Sequence, residues 1–481
     1  MLLKSMNAMP RLALAAVALA SLAACANFSG ITPEAQLRQA PTVDAGAPAV
    51  AAVDAEWWHG FGDAQLDRLV TLALDGSPNL KLAQARLRRA QAATEGARSA
   101  TLPKVGADVE ATHQLFSANS IYPPPLGGAI YDTATAQLTA SWELDFFGKN
   151  RAALDAALGQ TKAAQADAQA ARVLLVSQVA RSYFQLLRLN GQLELANRTL
   201  AQRNELLSLV RDRVNAGLDT RLELSQSQGG LPEARQQIEV LNEQIALGRN
   251  ALSALVGQPN AADALVLPAL SAIKTAANAQ AIPADLLGRR ADIAAARWRV
   301  EAASADARSA KAQFYPDINL VGFAGFSSIG LGNLLHAGSE QWGIGPAIHL
   351  PIFDAGRLRA GLKAKTADLD AAVESYNAAL VDAVRDVADQ LTSQQSIVRQ
   401  QAEQRAAQQS AEAAYEIAVQ RYSAGLGNYL NVLTAETAVL AQRRSQVDLA
   451  GRALDTQVAL VRSLGGGYNA SATESIAASA Y

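Results

Sequence analysis

Cysteine, methionine and histidine are scarce in this chain. Its 481 residues include one Cys, three Met and four His, so an intramolecular disulfide and a Cys-based zinc site are both excluded. The histidines, His59, His113, His336 and His349, form no HExxH motif and no close pair. We therefore expect ordinary surface or partly packed histidines rather than a metal site.

An excess of charge of either sign is also absent. Lys and Arg total 42 against 44 Asp and Glu, a net charge of −2, so a polycationic nucleic-acid binder is not expected. The hydrophobic fraction of 50% excludes a disordered chain and allows a large core. No Walker A loop or GxSxG motif is present, so we expect neither an enzyme nor a bound cofactor.

The amino terminus has the pattern of a secretion signal. Lys4 and Arg11 accompany a short apolar run at residues 12–20, and small residues follow it, as in a signal peptide. Residues 22–25 read Leu-Ala-Ala-Cys, which resembles a bacterial lipobox. We expect removal of residues 1–24 and an N-acyl, S-diacylglycerol lipid on Cys25. The alternative is a free Cys beside a plain signal peptide.

The sequence contains two internal repeats. Residues 77–103 match residues 290–316, and the aromatic segment 142–147 matches 348–353. A third match joins Arg-Val-Asn-Ala-Gly-Leu at 213–218 to Arg-Tyr-Ser-Ala-Gly-Leu at 421–426, a shift of 208 positions. The same order of segments recurs with small insertions, which indicates a duplicated structural unit.

Strand-like alternation marks each repeat. Residues 104–112 and 133–144 alternate polar and apolar side chains, which is typical of strands with one polar and one apolar face. Residues 317–326 and 342–353 show mixed alternation with little charge. Aromatic residues concentrate in these segments. Lipid-facing strands have this pattern, but the exposed face of a soluble sandwich has it too.

The number of strands limits the architecture. Each repeat carries one predicted strand pair, at about 102–147 and about 316–353. Past the signal, no apolar segment reaches the roughly 18 residues of a transmembrane helix, so a membrane-spanning form would need a closed barrel. Four strands are fewer than the roughly eight that a closed transmembrane barrel needs. We therefore expect a barrel that several chains share.

Very long helices are predicted after each strand pair. No Pro or Gly occurs from residue 362 to 424, and apolar residues in the first half of this segment step by three or four positions, as on one helix face. A helix over about 357–424 would be roughly 100 Å long. From 433 to 461, apolar residues recur every seventh position, as in a coiled coil. Long helical hairpins are predicted at about 150–257 and 355–465.

The hairpin turns have recognisable end signals. Gly217 and Gly425 lie between the long helices and suit left-handed helix stops. Asp219 and Asn428 follow them and suit N-caps of the returning helices.

A set of motifs resembles one known family. The motifs are residues 57–62 (Trp-Trp-His-Gly-Phe-Gly) with Leu66 and Leu69, 77–80 (Ser-Pro-Asn-Leu), 142–148 (Trp-Glu-Leu-Asp-Phe-Phe-Gly), 286–293, 310–316, the two Gly-Leu tips and 464–467 (Leu-Gly-Gly-Gly). Together they span most of residues 25–467 and resemble the TolC-like outer-membrane efflux factors, specifically the OprM/NodT-type lipoprotein branch. One departure is Ala291, where relatives usually have Pro.

The resemblance implies an α+β membrane protein. Three chains with four strands each would form a 12-stranded outer-membrane β-barrel, continued into a long periplasmic α-helical barrel. The implied function is a passive exit duct of a tripartite efflux system, supplied by an RND-type inner-membrane pump through a periplasmic adaptor. The implied partners are two further copies, the adaptor, the pump and outer-membrane lipid, with no nucleic acid.

Other functions stay open at this point. A duct of the same type could serve type I protein secretion or metal export. Copper or silver passage through thioether ligands is disfavoured, because all three Met lie within the predicted signal peptide. From another class, the chain could be a periplasmic structural coiled-coil lipoprotein.

The resemblance also implies roles for individual residues. Cys25 would be the lipid anchor. The helix tips would dock the adaptor through Arg213, Gly217, Leu218, Arg421, Gly425 and Leu426, although these residues would serve equally as helix caps. Relatives often have an apolar and an acidic residue four positions apart just past the second tip, where the duct narrows. Leu430 fits the apolar position, Thr434 replaces the acid, and Glu223, which matches Asn431 across the repeat, is the candidate substitute.

The predicted domain order follows from these segments. It runs through a signal peptide (1–24), a lipid-anchored segment (25–60), a first repeat (61–257), a connecting equatorial segment (258–285), a second repeat (286–467) and a tail (468–481). Each repeat consists of a short helix, the strand pair and the long helical hairpin.

Overall fold

The computed structural model describes residues 28–38, 53–274 and 289–468. The predicted signal peptide and Cys25 lie outside the described residues. Within these ranges the chain forms seven α-helices and four β-strands. The elements are α1 (Ala64–Gly76), α2 (Pro78–Ser99), β1 (Lys104–Leu115), β2 (Ile130–Glu143), α3 (Lys149–Asn215), α4 (Arg221–Val256), α5 (Ala291–Ala312), β3 (Asp317–Ile329), β4 (Glu340–His349), α6 (Arg357–Ser423) and α7 (Tyr429–Ser463).

The described residues form two compact units, and each unit takes segments from both sequence repeats. The first unit combines the described part of Met1–Leu37 with Arg86–Ala164 and Ala295–Asn377, and it contains all four strands. The second unit contains the helix tips and the largest hydrophobic core.

The strands form one antiparallel sheet in the order β1-β2-β3-β4. Its register places Val105, Ala140, Gly322 and Ile344 side by side across the strands, so apolar positions share one face. On that face Val105 is 73% and Ile344 71% exposed in the single chain. The prediction of two strand pairs is confirmed.

The second strand pair differs at its ends from the prediction. β3 continues past the predicted end at residue 326 to Ile329, because residues 327–329 still pair with β2. β4 spans Glu340–His349 rather than 342–353. It ends at His349 because that residue pairs with Asp317, the first residue of β3, so no partner strand continues beyond it.

The long helices follow the predicted bounds closely. α3 and α6 each have 67 residues. α4 continues through Pro232, although a proline inside a helix costs about 3 kcal/mol. The neighbouring side chains of Leu231 and Ala234 are buried, so tertiary packing offsets this cost. Among the described helices, none contains a stretch both long and apolar enough to cross a membrane.

The core of the second unit fixes the tryptophan-rich segment near the amino terminus. Trp58 and Phe61 are buried, and the Phe61 ring packs against the Phe184 ring at 4.8 Å. The Asp63 carboxylate caps α1 by accepting the Leu66 amide at 3.3 Å, and it also accepts the hydroxyl of fully buried Tyr183 at 2.6 Å. Burial, together with this hydrogen bond, raises the pKa of Tyr183.

Three ion pairs connect α3 to α7, which belong to different repeats. Arg181 pairs with Asp455 at 2.5 Å and Arg188 with Asp448 at 3.4 Å. Nearer the tips, Arg203 Nε lies 2.9 Å from Glu436 Oε1. We call these pairs the charge ladder. Every cation in it is on α3 and every carboxylate is on α7, so the two helices lie antiparallel with a defined register.

Candidate functional site at the helix tips

The first hairpin tip closes α3 with a left-handed glycine. Gly217 has φ 72°, and its amide donates to the Val214 carbonyl at 3.0 Å. The Leu218 amide donates to the Arg213 carbonyl at 2.9 Å. These two bonds define a Schellman motif, which satisfies carbonyls at the end of the helix. The Leu218 side chain is 65% exposed.

The second tip repeats this turn at the end of α6. Gly425 has φ 74°, and its amide donates to the Tyr422 carbonyl at 3.1 Å. The Leu426 amide donates to the Arg421 carbonyl at 2.7 Å, and the Leu426 side chain is 70% exposed. Both tips therefore present an exposed leucine immediately after a left-handed glycine.

The N-cap of α7 agrees with the sequence prediction. The Asn428 side-chain oxygen accepts the Asn431 amide at 3.0 Å. The backbone of Asn428 is extended, as N-cap residues usually are.

The N-cap predicted for α4 was wrong, because the cap is Thr220 rather than Asp219. The Thr220 hydroxyl accepts the Leu222 amide at 3.1 Å, and the Glu223 carboxylate accepts the Thr220 amide at 2.9 Å. The hydrogen bond from the Thr220 hydroxyl lowers the pKa of Glu223. The carboxylate of Glu223 is thus engaged in a capping box at the start of α4.

Asp219 instead joins the two hairpins. Arg213 Nε donates to Asp219 Oδ2 at 2.8 Å, and the Tyr422 hydroxyl donates to the same oxygen. The Arg213 guanidinium lies over the Tyr422 ring at 4.6 Å from its centroid. We call these three residues the tip cluster. Both charged side chains are 11% exposed, and Tyr422 is fully buried, so the cluster is largely shielded from solvent.

The electrostatics of the tip cluster favour the charged pair. The hydrogen bond from Arg213 lowers the pKa of Asp219. Burial raises the pKa of Tyr422, as does its bond to Asp219. Since a free Asp has a pKa of about 4, the ion pair stabilises the tip above that pH. Its contribution is lost only as the pH falls through the lowered pKa of Asp219.

The two tip arginines have different surroundings. Arg213 lies in the tip cluster, whereas Arg421 is exposed and donates to the Leu426 carbonyl at 3.3 Å. Gly427 occupies the position that matches Asp219 across the repeat, so the second tip lacks the corresponding carboxylate. The structure thus places Arg421 where a partner can contact it and holds Arg213 within the chain.

The candidate gate residues lie on the first turns after the tips. Leu430 is 62% exposed, and the exposed Thr434 donates its hydroxyl to the Leu430 carbonyl at 2.9 Å. Leu222, which matches Leu430 across the repeat, is also 62% exposed. Leu222 therefore shares the repeat position and the exposure of Leu430, although its local sequence does not single it out.

Metal ligands do not cluster in the described part of the chain. Within residues 28–38, 53–274 and 289–468, no group of three or more His, Cys, Asp or Glu side chains could hold a metal ion.

Comparisons with known proteins agree on one family. The model of the family described as outer membrane efflux protein matches residues 69–258 and 282–466. The fusaric acid resistance protein FusA of Burkholderia cepacia is 39% identical over 368 residues, 74% of this chain and 69% of FusA. The toluene efflux pump outer membrane protein TtgF of Pseudomonas putida is 34% identical over 422 residues, 86% of each chain.

Solved structures show the same relationship. The outer membrane protein VceC of Vibrio cholerae superposes with a TM-score of 0.83 at 38% identity, covering 86% of this chain and 100% of VceC. The outer-membrane channel OprN superposes with a TM-score of 0.80 at 26% identity, covering 91% and 98%. The two segments that match the family model correspond to the two internal repeats. This chain therefore belongs to the family of outer membrane efflux proteins.

Proposed function

We propose that three copies of this chain form the outer-membrane duct of a tripartite efflux system. The duct receives small organic molecules from an inner-membrane pump of RND type through a periplasmic adaptor and releases them outside the cell. Relatives named for fusaric acid resistance and toluene efflux support small-molecule export over protein secretion. The same relatives disfavour a structural coiled-coil lipoprotein.

The unpaired edges and the exposed apolar face of the sheet are the main support for this proposal. β1 and β4 are its edge strands, each paired on one side within the chain, and an unpaired edge is a template for another strand. The apolar face is open, with Val109 80% and Trp342 77% exposed. Three copies joined edge to edge supply twelve strands, enough for a closed sheet, and lipid covers the apolar face.

The exposed side chains at the helix tips support the proposal that the adaptor docks there. Leu218 and Leu426 are exposed on matching turns, and Arg421 is exposed beside the second. Apolar side chains flanked by a cation form a surface for a partner helix or loop. Past the tips, Leu430 and Thr434 line the narrow end of the duct, and Glu223, whose carboxylate also accepts the Thr220 amide, is the candidate acidic residue there.

The trimer gives the direct test of this function. Light scattering of detergent-solubilised protein, corrected for bound detergent, is expected to give about three chains per particle, because a single chain leaves both sheet edges unpaired. Circular dichroism of the same sample reports the strand content. A monodisperse monomer with full strand content would contradict the proposal.

The lipid anchor is tested separately. We expect Cys25→Ser to abolish labelling of the protein by radioactive palmitate, because Cys25 is the sole cysteine. Some membrane association should remain, since the sheet and the acyl chains are independent anchors. Labelling that persists in Cys25→Ser would rule out acylation at this residue.

A further inference from the structure

An aromatic side chain lies in the middle of the polar face of the sheet. This face is opposite the one that carries Val105 and Ile344, because alternate residues of a strand point to opposite faces. The register aligns four of its positions across the strands, namely Asp108, Gln137, Gly325 and Gln341. One position further along β3 on the same face is Phe323, and the next is Val321. Phe323 is 42% and Val321 40% exposed.

Two glycines of β4 lie beside these apolar side chains. Phe323 pairs with Gly343, and Val321 pairs with Gly345. A Cβ added at Gly343 would lie 2.7 Å from Cε1 of Phe323, so the ring lies against the Gly343 backbone. A Cβ added at Gly345 would meet no atom within 4 Å. The backbone of Gly345 is therefore the floor of an open slot beside Val321 and Phe323, and we call these four residues the Phe323 patch.

The polar side chains around the Phe323 patch bond to one another. Thr139, the partner of Phe323 on β2, donates its hydroxyl to Asp108 Oδ2 at 3.1 Å. Gln341 donates its side-chain amide to Gln137 Oε1 at 3.1 Å. An aromatic ring that covers a glycine on a neighbouring strand stabilises a sheet, which accounts for the contact of Phe323 with Gly343. It does not account for the open slot at Gly345.

The proposed duct determines what the Phe323 patch faces. If lipid covers the apolar face of the shared barrel, the polar face lines its aqueous interior. An apolar patch on an otherwise polar surface marks an interaction site. Exported molecules pass along this interior, whereas the strand that pairs with the free edge of β4 comes from a second copy. Cargo is the occupant that the position in the interior favours.

We propose that the Phe323 patch is a contact site for planar aromatic molecules during export. This inference rests on the proposed function and narrows its class of cargo. An aromatic ring prefers to meet another ring offset-stacked or edge-on, and the missing side chain at Gly345 lets a flat molecule approach the backbone. A saturated molecule of the same size gains only burial of apolar area. Three copies place three such patches at one level of the duct.

Fluorine NMR of the full-length trimer in detergent tests this contact. 4-Fluorophenylalanine replaces Phe323, or replaces Phe326 on the apolar face as the matched control. The probe is 2-naphthol, and its saturated analogue decahydro-2-naphthol controls for apolar partition into the detergent. We expect a saturable shift of the signal at position 323 with 2-naphthol and not with the saturated analogue. Position 326 should show no saturable shift with either compound.

Variants of the Phe323 patch make the test specific. Gly345→Val fills the slot and is expected to abolish most of the saturable shift at position 323. Gly332→Val is the matched control, because a Cβ added at Gly332 also meets open space but lies in the turn between β3 and β4. In equilibrium dialysis, Phe323→Leu should weaken binding of 2-naphthol roughly 2- to 13-fold. Light scattering checks that each variant is still a trimer.

Cysteine labelling separates failure of this inference from failure of the proposed function. A charged, water-soluble thiol reagent is added to membranes that contain Gly345→Cys or Ile344→Cys, and the mass of the peptide with the new cysteine is measured. We expect only Gly345→Cys to react. Equal reaction of both variants would mean that the polar face does not line an aqueous duct, and the proposed function would be wrong.

Two other outcomes overturn the inference alone. If neither variant reacts, a neighbouring chain covers the slot. If Gly345→Cys alone reacts but 2-naphthol and its saturated analogue shift the signal at position 323 equally, the duct stands and the patch does not select aromatic cargo. An unchanged saturable shift in Gly345→Val would equally exclude the slot as the place of contact.

Discussion

Replacing Asp219 with alanine is expected to let large antibiotics pass the outer membrane without a pump. The change removes the carboxylate that Arg213 contacts at 2.8 Å and that accepts the hydroxyl of buried Tyr422. Leaving a shielded polar group without its partner costs about 1–3 kcal/mol. The contact holds the tips together in the closed state, so we expect its loss to destabilise that state alone. The ratio of open to closed tips then rises roughly 5- to 150-fold.

Susceptibility to vancomycin in a pump-deleted host measures this leak at matched levels of expression. Asp212→Ala is the control, because Asp212 is an exposed carboxylate in the same last turns of α3. Tyr422→Phe, which keeps the Arg213–Asp219 ion pair, should leak less than Asp219→Ala. Equal susceptibility of the Asp219→Ala and Asp212→Ala strains would show that the tip cluster has no part in closing the duct.

Gly425→Val is expected to abolish most export without causing a leak. Gly425 has φ 74°, where an L side chain costs about 1–2 kcal/mol, which is small against a trimer with long packed helices. No atom crowds the position, since the nearest neighbour of an added Cβ is Arg213 Nη1 at 4.0 Å. The fold should therefore survive, while the turn that presents Leu426 and Arg421 changes shape.

Drug export by the complete pump and crosslinking to the adaptor are the measurements for Gly425→Val. Gly217→Val should have the same effect at the first tip. Gly229→Ala is the matched control, because Gly229 lies inside α4 and an added Cβ there meets open space. Wild-type export and crosslinking in Gly425→Val would mean that the adaptor docks elsewhere or that the turn is only structural.

The local sequence predicts part of the geometry of the helix tips. A glycine after a long helix and an asparagine three residues later, Gly425 and Asn428, have the conformations that their sequence indicates. At the first tip, Asp219 and Thr220 are adjacent and both suit an N-cap. The choice between them depends on Tyr422, which lies 203 positions away and takes the Asp219 carboxylate. The Arg213–Asp219 contact is local, but the sequence around the tip does not reveal the contribution of Tyr422.

The sheet and residues 28–37 differ in the same way in how far the local sequence predicts them. Alternation of side chains predicted the strands, whereas the end of β4 depends on its partner, because His349 pairs with the first residue of β3. Residues 28–37 have no periodic pattern, and their conformation depends on contacts with Phe314 and Asp370, which belong to the second repeat. The course of α4 through Pro232 likewise depends on burial of its neighbours rather than on helix propensity.

The charge ladder restricts which mechanical movements the helices can make. Sliding α3 along α7 by one residue displaces every pair by about 1.5 Å, so Arg181–Asp455, Arg188–Asp448 and Arg203–Glu436 would all lengthen at once. The first two pairs are spaced seven residues apart on both helices, so the next register that restores ionic contact lies roughly 10 Å away. All three ion pairs therefore oppose axial sliding of α3 along α7. A sideways swing of the tips would stretch mainly Arg203–Glu436, the pair nearest the tips. Motion at the tips would therefore need no axial sliding of α3 along α7.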